Sequence, residues 1–437
     1  MKRRHFWRME IGLLKTVDPS TREFVYVPVI NDRRFSHAWV IGKTGVGKST
    51  ALIRWALDDI CAGDGIAFFD PHGDTAEEII ARIPRRRRGD VIWFNPAEIP
   101  VGFNIFDTIP EERKAFVASS VVDSFKSVWG YEDLATPALE QFLFNGARAM
   151  MDVPDGTLFG LKFLLTSSHY RHRVVSHVRD AVIADFWRRD FEEHMPEREQ
   201  RERTLSTLNK IGALIADPAI RNCIAQPNSK LDFARILAEG KILIVSLPQG
   251  RLGVEKSALI GSLLLSQLQL AALSRQGERR PFHVYVDECH HFAAGTLSEM
   301  LSGIRKFGVS LTLSHQYLGQ LSRKLKSALM GTAGTTIVFR IGVEDAAVLE
   351  PEFRLTNSDL SLCELPPFEI YLRDGYRTRR LIMPECPYPP SSKGAERIKR
   401  FTQSQFACDP LRLDAKLRRF VANAYEQPLP RRSIDGW

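Results

Sequence analysis

Seven short runs of near-continuous apolar residues punctuate the chain: "HAWVIG" (37–42), "GIAFFD" (65–70), "DVIWFN" (90–95), "KILIVSL" (241–247), "HVYVDE" (283–288), "VSLTLSH" (309–315) and "TTIVFR" (335–340). Apolar runs without alternation mark strands covered on both faces. Each is followed by turn residues or a helical period, which predicts an α/β fold with a largely parallel central sheet. Between about Pro110 and Gly240 a 3.6-residue period takes over, as in "ERKAFVASSVVDSFKSVW", "ALEQFLFNGARAMM" and "HRVVSHVRDAVIADFWRRDFEEHM". That block is expected to be an all-helical insertion. Past Glu364, "PPFEIYLRDGYRTRRLIM" reads as a strand, an Asp-Gly turn and a second strand. The rest, through "PECPYPPSSKG" and a final helical piece, reads as a peripheral tail. The expected organisation is an N-terminal extension (1–34), an α/β domain (35–109 and 236–385), a helical domain inserted at 110–235, and the tail at 386–437.

Composition narrows the class. The chain has 437 residues, 44% hydrophobic and 26% charged, enough to bury a sizeable core and too apolar for general disorder. Sixty basic against 52 acidic residues leave a formal charge of +8, which favours anionic partners. Three basic runs, "MKRRHFWR", Arg85 to Arg88 in "RRRRGD", and "PRRS", read first as solvated surface. Cys61, Cys223, Cys289, Cys363, Cys386 and Cys408 form no CxxC pair, which argues against a zinc ribbon or a disulfide framework and fits a reducing cytoplasm. Glu10 and Lys15 interrupt the first apolar stretch, so it is a poor secretory signal. "ALIGSLLLSQLQLAAL", from Ala258, is broken by two glutamines and shorter than the roughly 20 residues that span a bilayer. It is expected to be a buried core helix, and the chain to have no membrane anchor of its own.

The densest chemistry lies in "IGKTGVGKST", between an apolar run and the periodic "STALIRWALDDICA". Gly42, Lys43, Thr44, Gly45, Val46, Gly47, Lys48 and Ser49 fit G-x-x-x-x-G-K-[ST], with Thr50 following. The physics needs glycines so that successive backbone N–H groups can wrap a phosphate at the positive end of a helix. Lys48 would neutralise the β- and γ-phosphates, and the Ser49 hydroxyl would complete a Mg²⁺ shell. In a strand-to-helix setting this is a nucleotide-binding loop rather than a plain turn.

"HVYVDECHHF" supplies the acids such a site requires. Asp287, ending a strand, would hold the metal's shell, and Glu288 can polarise the attacking water. His290 and His291, adjacent and without a third ligand, read as non-metal residues. Gln316, just past the next strand, could sense a γ-phosphate. Arg305, on the preceding helix, could reach a neighbouring subunit's nucleotide. A loop glutamine and a solvated arginine are equally good readings of those two residues in isolation.

Together "IGKTGVGKST", "FFDPHGDTAEEII", "VIWFNPAEIPVGFNIFD", "GKILIVSLPQGRLG", "VYVDECHHF", "RKFGVSLTLSHQYLGQL" and "TTIVFRIGVEDA" resemble the conjugative DNA-transfer ATPases, the type IV secretion coupling proteins, within the FtsK and HerA class of ring-shaped motors. The resemblance spans roughly residues 35–350. It implies a RecA-like P-loop domain bearing an all-helical domain, with ATP and Mg²⁺ as cofactors. By residue it implies Lys48 and Ser49 on nucleotide and metal, Asp287 on Mg²⁺, Glu288 as catalytic base and Gln316 as sensor. It also implies Arg305 as the finger acting in trans, with Arg340 as runner-up. Asp70 to Asp74, "DPHGD", is expected to end a strand beside the P-loop strand, at the nucleotide or subunit-contact rim. The implied activity is ATP-driven translocation of DNA, without sequence preference, by a homohexameric ring. A relaxase, nuclease or secretion-channel component is the implied partner. Coupling proteins usually carry transmembrane helices ahead of the motor; here the expected extension 1–34 offers none. Two other readings stay open: a ring ATPase that moves protein, and a nucleotide-dependent scaffold with little turnover.

Overall fold

The computed structural model describes residues 9–17, 24–31, 34–132, 134–356 and 359–425. The basic runs at residues 1–8 and 430–433 lie outside them. All seven apolar runs form strands. In chain order the strands are β1 (Met9–Val17), β2 (Phe24–Asn31), β3 (Ala38–Ile41), β4 (Gly65–Asp70), β5 (Val91–Phe94), β6 (Ile242–Ser246), β7 (Phe282–Val286), β8 (Val309–His315), β9 (Thr335–Val338), β10 (Glu369–Asp374) and β11 (Arg377–Ile382). One 11-stranded sheet runs β2-β1-β11-β10-β9-β3-β8-β7-β4-β6-β5. From β9 to β5 its pairs are parallel; β10, β11, β1 and β2 extend it antiparallel. Every residue of β3 to β9 is buried, as expected of strands packed between helical layers.

The contacts divide the chain into two compact units. The α/β unit holds the described residues of Met1–Asn95, Ser127–Trp129 and Asp232–Gln405. Helix α1 (Lys48–Ala62) leaves β3 through the P-loop and stops at Gly63, whose φ of +100° suits glycine. Helix α2 (Asp74–Arg82) follows β4. Strand β4, however, does not neighbour β3. Strands β8 and β7, contributed much later in the sequence, lie between them. The "DPHGD" block therefore sits two strand positions further from the P-loop strand than expected.

Three anchors fasten α1 to this sheet. Tyr285 Oη donates to Asp59 Oδ2 at 2.6 Å, and His283 Nε2 lies 3.3 Å from Asp64 Oδ2, tying the end of α1 to β7. Arg87, from the run expected to be solvated, is buried and donates to the carbonyls of Ile60 and Gly240, each at 2.9 Å, and to Asp90. A guanidinium with five donors can close several backbone ends at once. Arg54 donates to Glu10 Oε1 at 3.0 Å and the Trp55 indole to the Ile11 carbonyl at 3.3 Å, so the β1-β2 hairpin is part of the sheet and not a loose extension. The helix Val254–Leu273 is the one among the described residues long and apolar enough to cross a membrane, and most of it is buried in this unit.

The helical unit comprises the described residues of Pro96–Lys126, Gly130–Leu231 and Phe406–Trp437. It begins before Pro110 because the non-periodic segment Phe103–Phe106 is buried there: Phe103 N–H donates to the Cys223 carbonyl at 3.0 Å, and Asn104 Nδ2 to Pro227 at 2.7 Å. The expected peripheral tail is instead two integrated helices. Ser392–Phe406 docks in the α/β unit, where Thr402 Oγ1 accepts from Trp93 N–H at 3.1 Å. Pro410–Tyr425 packs in the helical unit, with Phe420 against Phe159, Phe163 and Tyr170 at 5.4–5.6 Å. Both are amphipathic, and an apolar stripe on a 15- or 16-residue helix needs a surface to cover it.

Candidate active site

Parallel strands put all their C-terminal ends on one edge of the sheet, where ligands of open α/β folds bind. Here the ends of the adjacent strands β3, β8 and β7 present the P-loop, Gln316, and Asp287 with Glu288. The P-loop turns through Gly45 (φ +77°) and Gly47 (φ +102°) before α1 begins. At Gly42 a Cβ would lie 2.5 Å from Phe339 Cβ, so only glycine lets the loop leave the sheet here. No side chain caps α1; its first turn opens into a cavity of about 620 Å³. Lys43, Thr44, Gly45, Gly47, Lys48, Ser49 and Thr50 line that cavity, together with Asp287, Glu288 and Gln316. Val46 is buried beneath the loop.

Within the cavity the polar groups are linked. Lys48 Nζ donates to Glu288 Oε1 at 2.9 Å, and Gln316 Nε2 donates to the same oxygen at 3.1 Å. Thr44 Oγ1 reaches Gln316 Oε1 at 3.4 Å. Asp287 Oδ1 accepts from the Ser314 hydroxyl and from Glu288 N–H. Glu288 is held at φ +45°, rare for a residue with a side chain and typical of functional turns. Burial pushes the Asp287 carboxyl up to about 6. Burial also pushes Glu288 up, but Lys48, with Gln316 and His290, outweighs it and holds that carboxyl below its usual range. Ser49 and Asp287 supply hard oxygen donors of the kind Mg²⁺ takes, and Glu288 Oε2 is a buried oxygen with no hydrogen bond among the described residues. The donor set fits a metal-bound triphosphate.

A second tier holds these groups in place. His290 and His291 lie side by side. They ride the 3₁₀ turn Cys289–His291 with ring centroids 4.1 Å apart, and His290 Nδ1 lies 3.5 Å from Glu288 Oε2. Gln320 Oε1 accepts from the N–H groups of Gln316 (2.9 Å) and Tyr317 (3.2 Å), while Gln320 Nε2 lies 3.3 Å from His290 Nε2. His315 is fully buried; its Nε2 accepts from the Trp39 indole at 2.7 Å, and its Nδ1 lies 3.1 Å from the Tyr317 carbonyl. Burial pushes the His315 imidazole down to about 3, so it is neutral with the proton on Nδ1.

The remaining expectations fall differently. Asp70 is wholly buried and caps α2, its oxygens accepting from His72 N–H at 2.8 Å and Ala76 N–H at 2.9 Å. From that block His72 and Asp74 reach the cavity rim. Arg305 lies not on the helix Ala294–Gly303 but on the 3₁₀ turn Ile304–Phe307 after it, exposed at the start of β8. The whole of β8, about 20 Å, separates it from Gln316, so it does not join its own chain's pocket. Arg340 follows β9 at the P-loop edge, where its carbonyl accepts from Lys43 N–H at 2.9 Å. Sequence reasoning missed Gln320, and it missed Arg82 and Phe368, both of which line the cavity. The Gln-x-x-x-Gln spacing after β8 was a readable hint of the first; nothing local marked the other two.

Comparison with known proteins agrees with this architecture. Residues 8–153 match the family described as Type IV secretory system Conjugative DNA transfer. A search of curated protein sequences finds no match. Among solved structures, the unbound bacterial conjugative coupling protein TrwBdeltaN70 superposes with a TM-score of 0.62 at 15% identity, over 87% of this chain and 90% of that one. The plasmid coupling protein TrwB in complex with ADP and Mg²⁺ gives 0.62 at 16% identity, over 89% and 97%. VirB4 of Thermoanaerobacter pseudethanolicus gives 0.56 at 16% identity, over 86% and 97%. The fold is thus the RecA-like P-loop ATPase fold, and the resemblance to the conjugative DNA-transfer ATPases seen in the sequence motifs is matched by the family model and the fold alike.

Proposed function

We propose that this chain is an ATP-driven DNA translocase, working as a homohexameric ring and allied to the conjugative DNA-transfer coupling proteins. The observation that carries the reading is the meeting of Lys48, Ser49, Asp287, Glu288 and Gln316, from three adjacent strand ends, around one cavity. Those are a phosphate cation, two metal donors, a base and an amide, the parts that triphosphate cleavage requires. TrwB has been solved with ADP and Mg²⁺, which supports ATP and Mg²⁺ as the cofactors here.

Ser49 and Asp287 would hold Mg²⁺, which when bound supplies neutralising charge to the β- and γ-phosphates. Lys48 and the P-loop amides bind the same phosphates. Glu288 takes the proton of the water that attacks the γ-phosphorus as the bond to the ADP oxygen breaks, and Gln316 orients that water. A residue that serves a neighbour's site has to face away from its own. Arg305, exposed at the far end of β8, meets that condition better than Arg340, whose backbone is bonded to its own P-loop. In a closed ring, hydrolysis would then alter the subunit interface.

For the polyanion, the helix Arg323–Thr332 is the best-placed grip. It carries exposed Arg323 and Lys324 and follows the sensor through the turn Leu318–Gln320. A pull on it would be transmitted to Gln316 through Gln320. Six free cysteines support a reducing, cytoplasmic setting. A relaxase, nuclease or secretion-channel component is the partner class this reading implies. The test is the ATPase rate of the purified protein with and without DNA, alongside its mass in solution with nucleotide. DNA stimulation of a hexamer supports the reading. A rate indifferent to DNA favours a ring that moves protein or a scaffold.

A further inference from the structure

Phe368 stands on the turn that enters β10, and its backbone is held at φ +64°. A bulky side chain in the left-handed region is an outlier that persists only where surrounding contacts enforce it, and such residues gather at ligand sites. Two main-chain hydrogen bonds enforce it here. Phe368 N–H donates to the Val46 carbonyl in the P-loop at 2.9 Å, and its own carbonyl accepts from Met383 N–H at 2.7 Å. The ring lies on the P-loop: a Cβ at Gly47 would come within 2.6 Å of it. It is not core, however. The residue is 46% exposed and lines the cavity, whose wall also includes Ile53 and Cys386.

We propose that Phe368 is the platform on which the nucleobase of the bound triphosphate stacks. The proposal rests on the P-loop reading above and adds the subsite for the base. With phosphates against Lys48 and Ser49, the rest of the nucleotide must leave the loop along the cavity wall, and Phe368 is the benzene-ring face in that wall, lying on the P-loop itself. Stacking uses the face of the base and leaves its edge unread, so the platform accepts any base and holds the larger purines best.

The test is equilibrium binding of ATP and of inorganic tripolyphosphate to the full chain and to Phe368→Ala and Phe368→Trp. Loss of stacking should weaken ATP binding roughly five- to a hundredfold in Phe368→Ala and leave tripolyphosphate unchanged. Phe368→Trp should restore ATP affinity, with indole fluorescence that ATP quenches and tripolyphosphate does not. If Phe368→Ala binds ATP like the parent, or weakens both ligands equally, the ring only buttresses the loop and the proposal is overturned. A parent chain that binds neither ligand overturns the P-loop reading itself, an outcome distinct from losing the base subsite alone.

Discussion

Lys48 Nζ and Glu288 Oε1 lie 2.9 Å apart, both nearly buried, so the cation of the phosphate loop and the acid proposed as base share one hydrogen bond. A γ-phosphate and Glu288 therefore compete for the same ammonium. Glu288→Gln removes the competing charge and the proton acceptor together. Turnover should fall by at least about a hundredfold, while ATP affinity is kept or rises. Single-turnover phosphate release and calorimetric titration separate the two effects.

The same pair makes a prediction about stability. Truncating one partner of a buried ion pair leaves the other charge unsatisfied, at a cost on the order of 3 kcal/mol. Lys48→Ala should lower the urea midpoint of the protein, and adding Glu288→Ala should recover part of that loss. A double-mutant cycle by chemical denaturation reads the coupling; strict additivity would argue against it.

His290 stands 3.5 Å from Glu288 Oε2 without hydrogen bonding it, and Gln320 bridges His290 to the backbone of Gln316. Neither is expected to touch nucleotide. His290→Ala and Gln320→Ala should therefore lower kcat by about tenfold, the order a misplaced base costs, with KM for ATP little changed. Gln320→Glu, which keeps an acceptor for the Gln316 and Tyr317 N–H groups, should retain more activity than Gln320→Ala.

Acid should weaken the α/β unit through its buried histidines, with Asp287, its carboxyl raised to about 6, offsetting part of the loss below pH 6. His37 and His315 are buried, and burial pushes their imidazoles down to about 4 and about 3. In the unfolded chain they protonate near pH 6.5. Between that pH and the folded values the unfolded state binds more protons, so stability falls as pH falls, by about 1.4 kcal/mol per pH unit for each histidine. Urea midpoints at pH 7, 6 and 5 should decline steadily, and the decline should be shallower in His37→Asn.

If the helix Arg323–Thr332 grips DNA, Arg323→Glu with Lys324→Glu should abolish DNA stimulation of the ATPase and leave the basal rate intact. The salt dependence of DNA binding should also flatten, since fewer counterions are released. Unaltered stimulation would move the grip elsewhere.

Much of this protein was readable along the chain because its information is local. Apolar runs covered on both faces leave a continuous pattern, so β3 to β9 could be placed to within a residue or two. The P-loop and the Asp287-Glu288 pair are compact because phosphate and metal chemistry needs donors at fixed spacing. The hairpin Glu369–Ile382 was visible from its Asp-Gly turn. The β1-β2 hairpin was missed as part of the sheet because the strand it joins there, β11, is far away in sequence. The two C-terminal helices were read as a tail because amphipathicity says that a face must be covered but not by what.

Sequence alone singled out the residues proposed to carry the chemistry: the phosphate loop, the paired acids, the amide after β8, and the alternation of strand and helix that sets them at strand ends. Tertiary structure decided which of them meet. Strand order put β8 and then β7 between β3 and β4 and so sent "DPHGD" three positions from the P-loop strand, left Arg305 at the far end of its strand, and brought Phe368 onto Gly47. The reason is physical: hydrogen-bonding capacity and backbone preference belong to individual residues, whereas adjacency in a sheet depends on how segments hundreds of residues apart share one core.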